Sequence, residues 1–106
     1  MAKIDPIIMV NVRSFLAKLT KSGIHITKAF IFGSYVKGYA DEWSDIDIAI
    51  VSPQIGTDRF EERVRLTEIS LTVDDRLEPM PFNLESFVDD DPMVRVIKNE
   101  GIAIVS

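Results

Sequence analysis

The sequence predicts an α+β domain, a small mixed β-sheet flanked by helices. Three observations lead there. Apolar residues recur at helical spacing near the N-terminus, and short runs rich in β-branched residues come after them. Glycine, proline and capping residues punctuate these segments into the order α-β-β-α-β-α, with a closing β-rich run. The 106 residues, 46% hydrophobic and 27% charged, suit one domain over 1–106 with a single modest core. No internal repeat, low-complexity tract or linker divides them.

The first helix opens at Asp5-Pro6, with Asp5 as N-cap and Pro6 where its missing N–H costs little. Ile8, Val12, Phe15, Leu16 and Leu19 form its apolar stripe, and Ser22-Gly23 ends it, Gly23 suiting the left-handed position past the cap. A strand follows within Ile24 to Phe32, clearest over Ala29 to Phe32, and stops at Gly33-Ser34. The second strand runs from Asp45 to Val51 and is closed by Ser52-Pro53. A second helix is expected near Asp58 to Thr72, Asp58 and Glu61 having capping-box spacing. Arg76 to Met80 reads as a third strand, and Pro79 and Pro81 confine it to an edge or mark its end, because proline cannot donate to the ladder. Asn83 suits the cap of a short helical turn, Asp91-Pro92 begins the last helix, and Ile102 to Val105 suits a final strand.

Composition excludes several chemistries. With no cysteine there is no disulfide, thiolate metal site or cysteine nucleophile, and the single His25 removes zinc sites that need two imidazoles. No apolar run approaches the roughly 18 residues of a membrane span, and the start of the chain lacks the apolar core of a signal peptide. A cytoplasmic location with no membrane role is therefore expected. Twelve basic residues against 17 acidic ones give a formal net charge of −5, which disfavours nucleic-acid partners. Carboxylates gathered in one place can still bind phosphates through a divalent ion.

The informative stretch is Gly33-Ser34-Tyr35-Val36-Lys37-Gly38 followed by Ser44-Asp45-Ile46-Asp47. Strand alternation sends Ile46, Ile48 and Ile50 to one face and Asp45 and Asp47 to the other, with the two aspartate Cα atoms about 6–7 Å apart. Like charges so close need neutralising, and magnesium, a hard ion held by one or two carboxylates plus substrate phosphates, suits them. A bare Asp-x-Asp pair also fits a solvated strand face. Gly33-Ser34 ends the neighbouring strand, where a glycine lets backbone approach a phosphate and a hydroxyl can join the cradle. Alone it would be a plain tight turn. Lys37 can add positive charge to the same phosphates or simply be solvated. The Gly-Lys-Ser/Thr ending of a P-loop is missing.

Together these residues are far more specific. Gly33-Ser34, ten intervening residues and Asp45-x-Asp47 resemble the signature of the DNA polymerase β-like nucleotidyltransferase superfamily. Over essentially the whole chain the sequence is most similar to the minimal nucleotidyltransferases, the MNT proteins of prokaryotes. The resemblance implies the nucleotidyltransferase fold and a site in which Asp45 and Asp47 bind two Mg2+ ions that carry ATP, with Gly33, Ser34 and Lys37 at its phosphates. A third carboxylate from a later strand completes such sites. Glu78 is expected there, because it lies in the predicted third strand and the Glu78-Pro79-Met80-Pro81-Phe82 ending resembles many MNT sequences. Asp74 and Asp75, in the preceding turn, are the alternatives, and Glu78 also reads as an exposed edge residue. The implied reaction is in-line attack of a hydroxyl on the α-phosphate with release of pyrophosphate, using two metals roughly 4 Å apart.

The same resemblance implies a partner. MNT proteins commonly act beside a HEPN-domain protein as the antitoxin of a toxin–antitoxin pair, and can adenylylate a tyrosine of that toxin. Met80, Phe82 and Phe87 could supply a docking surface, or equally belong to the core. Two rival readings stand beside this one: a nucleotide-binding protein that inhibits its partner by contact alone, and a nucleotidyltransferase for small molecules such as aminoglycosides. Tyr35, Tyr39 and Trp43 could stack on a base but also suit loop packing. His25 reads as a surface or packing residue, and Asp89-Asp90-Asp91 as a solvated loop ending in a helix cap. Arg59, Arg63 and Arg65 among Glu61, Glu62 and Glu68 read as a salt-bridged solvent face.

Overall fold

In a computed structural model the chain is described over residues 4–33, 38 and 44–104. Helix α1 (Pro6–Lys21) begins as its sequence directs: the Asp5 carboxylate accepts from the Ile7 N–H at 2.8 Å. It ends in a Schellman motif. The Ile24 N–H reaches the Leu19 carbonyl, the Gly23 N–H reaches that of Thr20, and Gly23 takes φ +91°. Strands β1 (Lys28–Phe32) and β2 (Ile46–Val51) pair antiparallel, from Lys28 opposite Val51 to Phe32 opposite Asp47. Helix α2 (Arg59–Ser70), capped by Asp58 through the Glu61 N–H at 3.1 Å, then carries the chain across to β3 (Leu77–Phe82). This crossover lets β3 lie parallel to β2. Helix α3 (Pro92–Glu100), capped by Asp91, leads to the short β4 (Ile102–Ala103), antiparallel to β1. The sheet order is β3-β2-β1-β4.

Strand β3 is an edge, as its prolines require, yet it runs on to Phe82 rather than stopping at Met80. The carbonyls of Arg76 and Phe82 bond β2, so the even positions face the ladder. Pro79 and Pro81 then face outward, where no donor is needed and none is offered to another chain. The final strand is shorter than expected, two residues, and Val105 lies outside the described residues. Asn83 does begin a single turn, exchanging bonds with Ser86 in both directions.

Both faces of the sheet are covered. Ile46, Ile48 and Ile50 of β2 join Ala29, Ile31 and Leu77 beneath α1 and Leu66 of α2. Ala49 and Val51, on the opposite face, join Phe32, Phe82, Phe87 and the α3 residues Val94 and Ile97. The polar face expected of β2 is thus polar only at its start. Phe82 and Phe87 belong to this second core, their rings edge to face at 5.2 Å, and Met80 packs against it. The docking alternative considered for these two phenylalanines is replaced by burial.

Candidate active site

The site grows from one register. Antiparallel pairing puts Phe32, the last residue of β1, opposite Asp47, and parallel pairing puts Glu78 opposite the same aspartate. Residues in register on neighbouring strands share a face, so Asp47 and Glu78 stand side by side, next to Phe32 of the second core. Asp45 is exposed just before β2, and the Ile46 N–H clamps that end of the strand to the Arg76 carbonyl at 2.7 Å. Next to Phe32, Gly33 takes φ +80°, and a Cβ there would overlap the Asp47 Oδ2 and lie 3.2 Å from its Cγ. Glycine is needed for both the turn and the space.

The electrostatics follow from this crowding. Partial burial pushes the Asp47 carboxyl above its ordinary value, the charges of Asp45 and Glu78 push it further, and Arg63 opposes them. Arg63 Nη2 donates to Glu78 Oε2 at 3.2 Å. One turn earlier Arg59 lies over the Phe82 ring at 4.8 Å and reaches the Pro81 carbonyl. The two arginines, four residues apart, share a face of α2 and reach round the β3 edge. They wall a cleft of about 480 Å³ with Met80, Phe82 and Met93. The salt-bridged solvent face expected of Arg59, Arg63 and Arg65 holds, since all three are exposed, with Arg65 paired to Glu62 at 2.7 Å. What it did not include is that Arg63 takes its partner from β3 and that Arg59 lies over Phe82. Their i, i+4 spacing beside a proline-blunted edge was the available signal. It does not say which strand they meet.

The other candidates fall elsewhere. Asp74 is bound by Arg76 at 2.8 Å and by Asn11 of α1 at 3.0 Å, which holds its carboxyl down at about 2, the Arg76 bond being the main cause. Asp75 is exposed in the same turn. His25 is also exposed, its N–H bonded to Gln54. Asp89 pairs with Lys98 at 2.7 Å, and Asp91 caps α3, as expected for that loop. Ser34, Lys37, Tyr35, Tyr39 and Trp43 lie outside the described residues.

The donor chemistry of Asp45, Asp47 and Glu78, three carboxylates with hard oxygen ligands, fits a magnesium ion. As the side chains stand, no three acidic or histidine groups among the described residues are gathered closely enough to hold a metal. Glu78 is engaged by Arg63.

A four-stranded mixed sheet between helices, with a glycine turn packed against a carboxylate at one strand end, is the arrangement expected of a nucleotidyl-transfer domain. The chain belongs to the nucleotidyltransferase domain family, whose sequence profile matches residues 10–104. It is also similar in fold to a crystal structure of a candidate nucleotidyltransferase from Sulfolobus solfataricus. That match has TM-score 0.62 and 18% identity over 97% of this chain and 89% of the other. No curated protein matches the sequence. Among the described residues no helix is long and apolar enough to cross a membrane.

Proposed function

We propose that residues 1–106 act as one minimal nucleotidyltransferase domain of the MNT type, cytoplasmic, moving AMP from ATP to an acceptor hydroxyl. The acceptor assigned is a tyrosine of a HEPN-domain toxin, for which this chain serves as antitoxin. The observation that carries the transfer chemistry is the register that sets Asp47 beside Glu78 on β2 and β3, with Gly33, just past the end of β1, packed against Asp47 and with Asp45 just before β2.

In this reading Asp45, Asp47 and Glu78 hold two Mg2+ ions, while Gly33, Ser34 and Lys37 cradle the triphosphate. When bound, the ions neutralise charge on the phosphates and on the attacking and leaving oxygens. The acceptor oxygen forms its bond to the α-phosphorus as the bond to the α–β bridging oxygen breaks. AMP becomes an ester, pyrophosphate leaves, and the hydroxyl proton passes to Glu78. Gly33 keeps backbone low at the phosphate side, and Asp47, partly desolvated, binds a cation more strongly than an exposed carboxylate would.

The test uses ATP labelled at the α-phosphate, incubated with magnesium, native-source lysate and the purified protein. A labelled protein band is expected, lost with Asp47→Asn, and mass spectrometry of that band should find AMP on tyrosine. Label on a small molecule instead would move the assignment to that acceptor class. Nucleotide binding with no transfer to anything would leave a protein that inhibits by contact.

A further inference from the structure

Arg63 differs from its neighbours on α2. Arg65 pairs within its own helix, whereas Arg63 crosses to β3 and bonds the carboxylate assigned above as the third ligand. Its field also reaches Asp47, where it is the opposing influence against burial and two negative charges. The bond to Glu78 is exposed, with the Arg63 side chain 52% accessible and that of Glu78 39%, and pairs of this kind are weak and readily exchanged. Beside it lies the cleft between α2 and α3 that Arg63 lines, giving a long side chain room to withdraw.

We propose, on the reading of the site given above, that Arg63 is a positioning residue which acts as counter-ion to Glu78 in the metal-free protein and yields that carboxylate to the ion. A bare ion then competes with a guanidinium for Glu78. An ion arriving with a triphosphate brings further oxygen donors and loses less by the competition, since magnesium sites are completed by substrate phosphates. Arg63 thereby makes metal loading depend on nucleotide.

Mn2+ binding to the intact chain, followed by electron paramagnetic resonance with and without a non-hydrolysable ATP analogue, tests this directly. Arg63→Gln should bind Mn2+ alone about three- to tenfold more tightly than the unaltered protein. The gain in Mn2+ affinity produced by the analogue should shrink in this variant. Arg63→Lys should restore part of the competition, and Arg65→Gln, with the same loss of charge on the same helix, should bind Mn2+ as the unaltered protein does. Unchanged or weaker Mn2+ binding in Arg63→Gln overturns the role of Arg63, and so does an equal gain in Arg65→Gln, which would make the effect one of net charge. If the unaltered protein shows no Mn2+ site sensitive to Asp47→Asn, the metal-site reading falls, and this proposal with it.

Discussion

At Gly33 two requirements meet that only one residue type satisfies. Its φ of +80° is costly for any side chain, and the space a Cβ would fill already holds the Asp47 carboxylate. Gly33→Ala should therefore destabilise the fold by about 1–3 kcal/mol in urea unfolding and displace Asp47, with transfer lost. Asp47→Asn should separate the two effects. Because the folded carboxyl is raised above its ordinary value, its ionisation works against the native state. The stability it allows is complete below pH 3.8 and is lost as pH rises through the folded value. In metal-free protein at pH 7 the variant should be as stable as the parent or more stable, by at most about 1 kcal/mol after solvent screening. Transfer should nonetheless vanish. A loss of stability equal to that of Gly33→Ala would show that the carboxylate is structural.

Among the elements, the turn before β3 does the alignment. Asp74, its side chain 7% exposed, accepts from the Arg76 guanidinium and backbone and from Asn11 on α1. It ties the first helix to the residue whose carbonyl clamps the start of β2. With its carboxyl held at about 2, below the ordinary 3.8, Asp74 contributes stability that is complete above pH 3.8 and lost as pH falls toward 2. Asp74→Ala should cost about 1–3 kcal/mol at pH 7 and flatten the acid limb of the stability curve, read by urea unfolding at several pH values. Since register on β3 sets where Glu78 stands, the variant should also weaken transfer without touching the site. An unaltered acid limb would count against this account.

For the whole molecule, three carboxylates meet at one end of the sheet, where the charges of Asp45 and Glu78 oppose ionisation of Asp47, and in the proposed function a cation relieves that opposition. Binding should consequently appear as stability. Saturating Mg2+ with a non-hydrolysable ATP analogue at about 100 times its Kd should add about 2.7 kcal/mol and raise Tm by roughly 10 °C or more. Either component alone should do much less, and Asp47→Asn should abolish the joint shift. An equal shift in that variant would place the nucleotide elsewhere.

Local chemistry made much of this legible. Asp5-Pro6 and Asp91-Pro92 start helices wherever they occur, Gly23 ends one, and the isoleucine alternation of β2 announces a strand, because these effects act over a few residues. That Gly33 ends the strand neighbouring the aspartates was readable for the same reason, since the two strands are consecutive in the chain. Arg63 was not. Its place in a charged helix among Glu61, Glu62 and Glu68 suits a solvated face without naming a partner, and only the crossover that lays β3 beside β2 brings Glu78 within its reach. Nor could alternation alone show that Ala49 and Val51 are buried, because that depends on α3 returning to cover the second face. Near neighbours in the sequence set the order of the elements, the helix starts and the spacing of Asp45 and Asp47 at the start of β2. Tertiary structure decided which cation faces which carboxylate, and which polar face closes over, because contacts between distant segments depend on strand order and register.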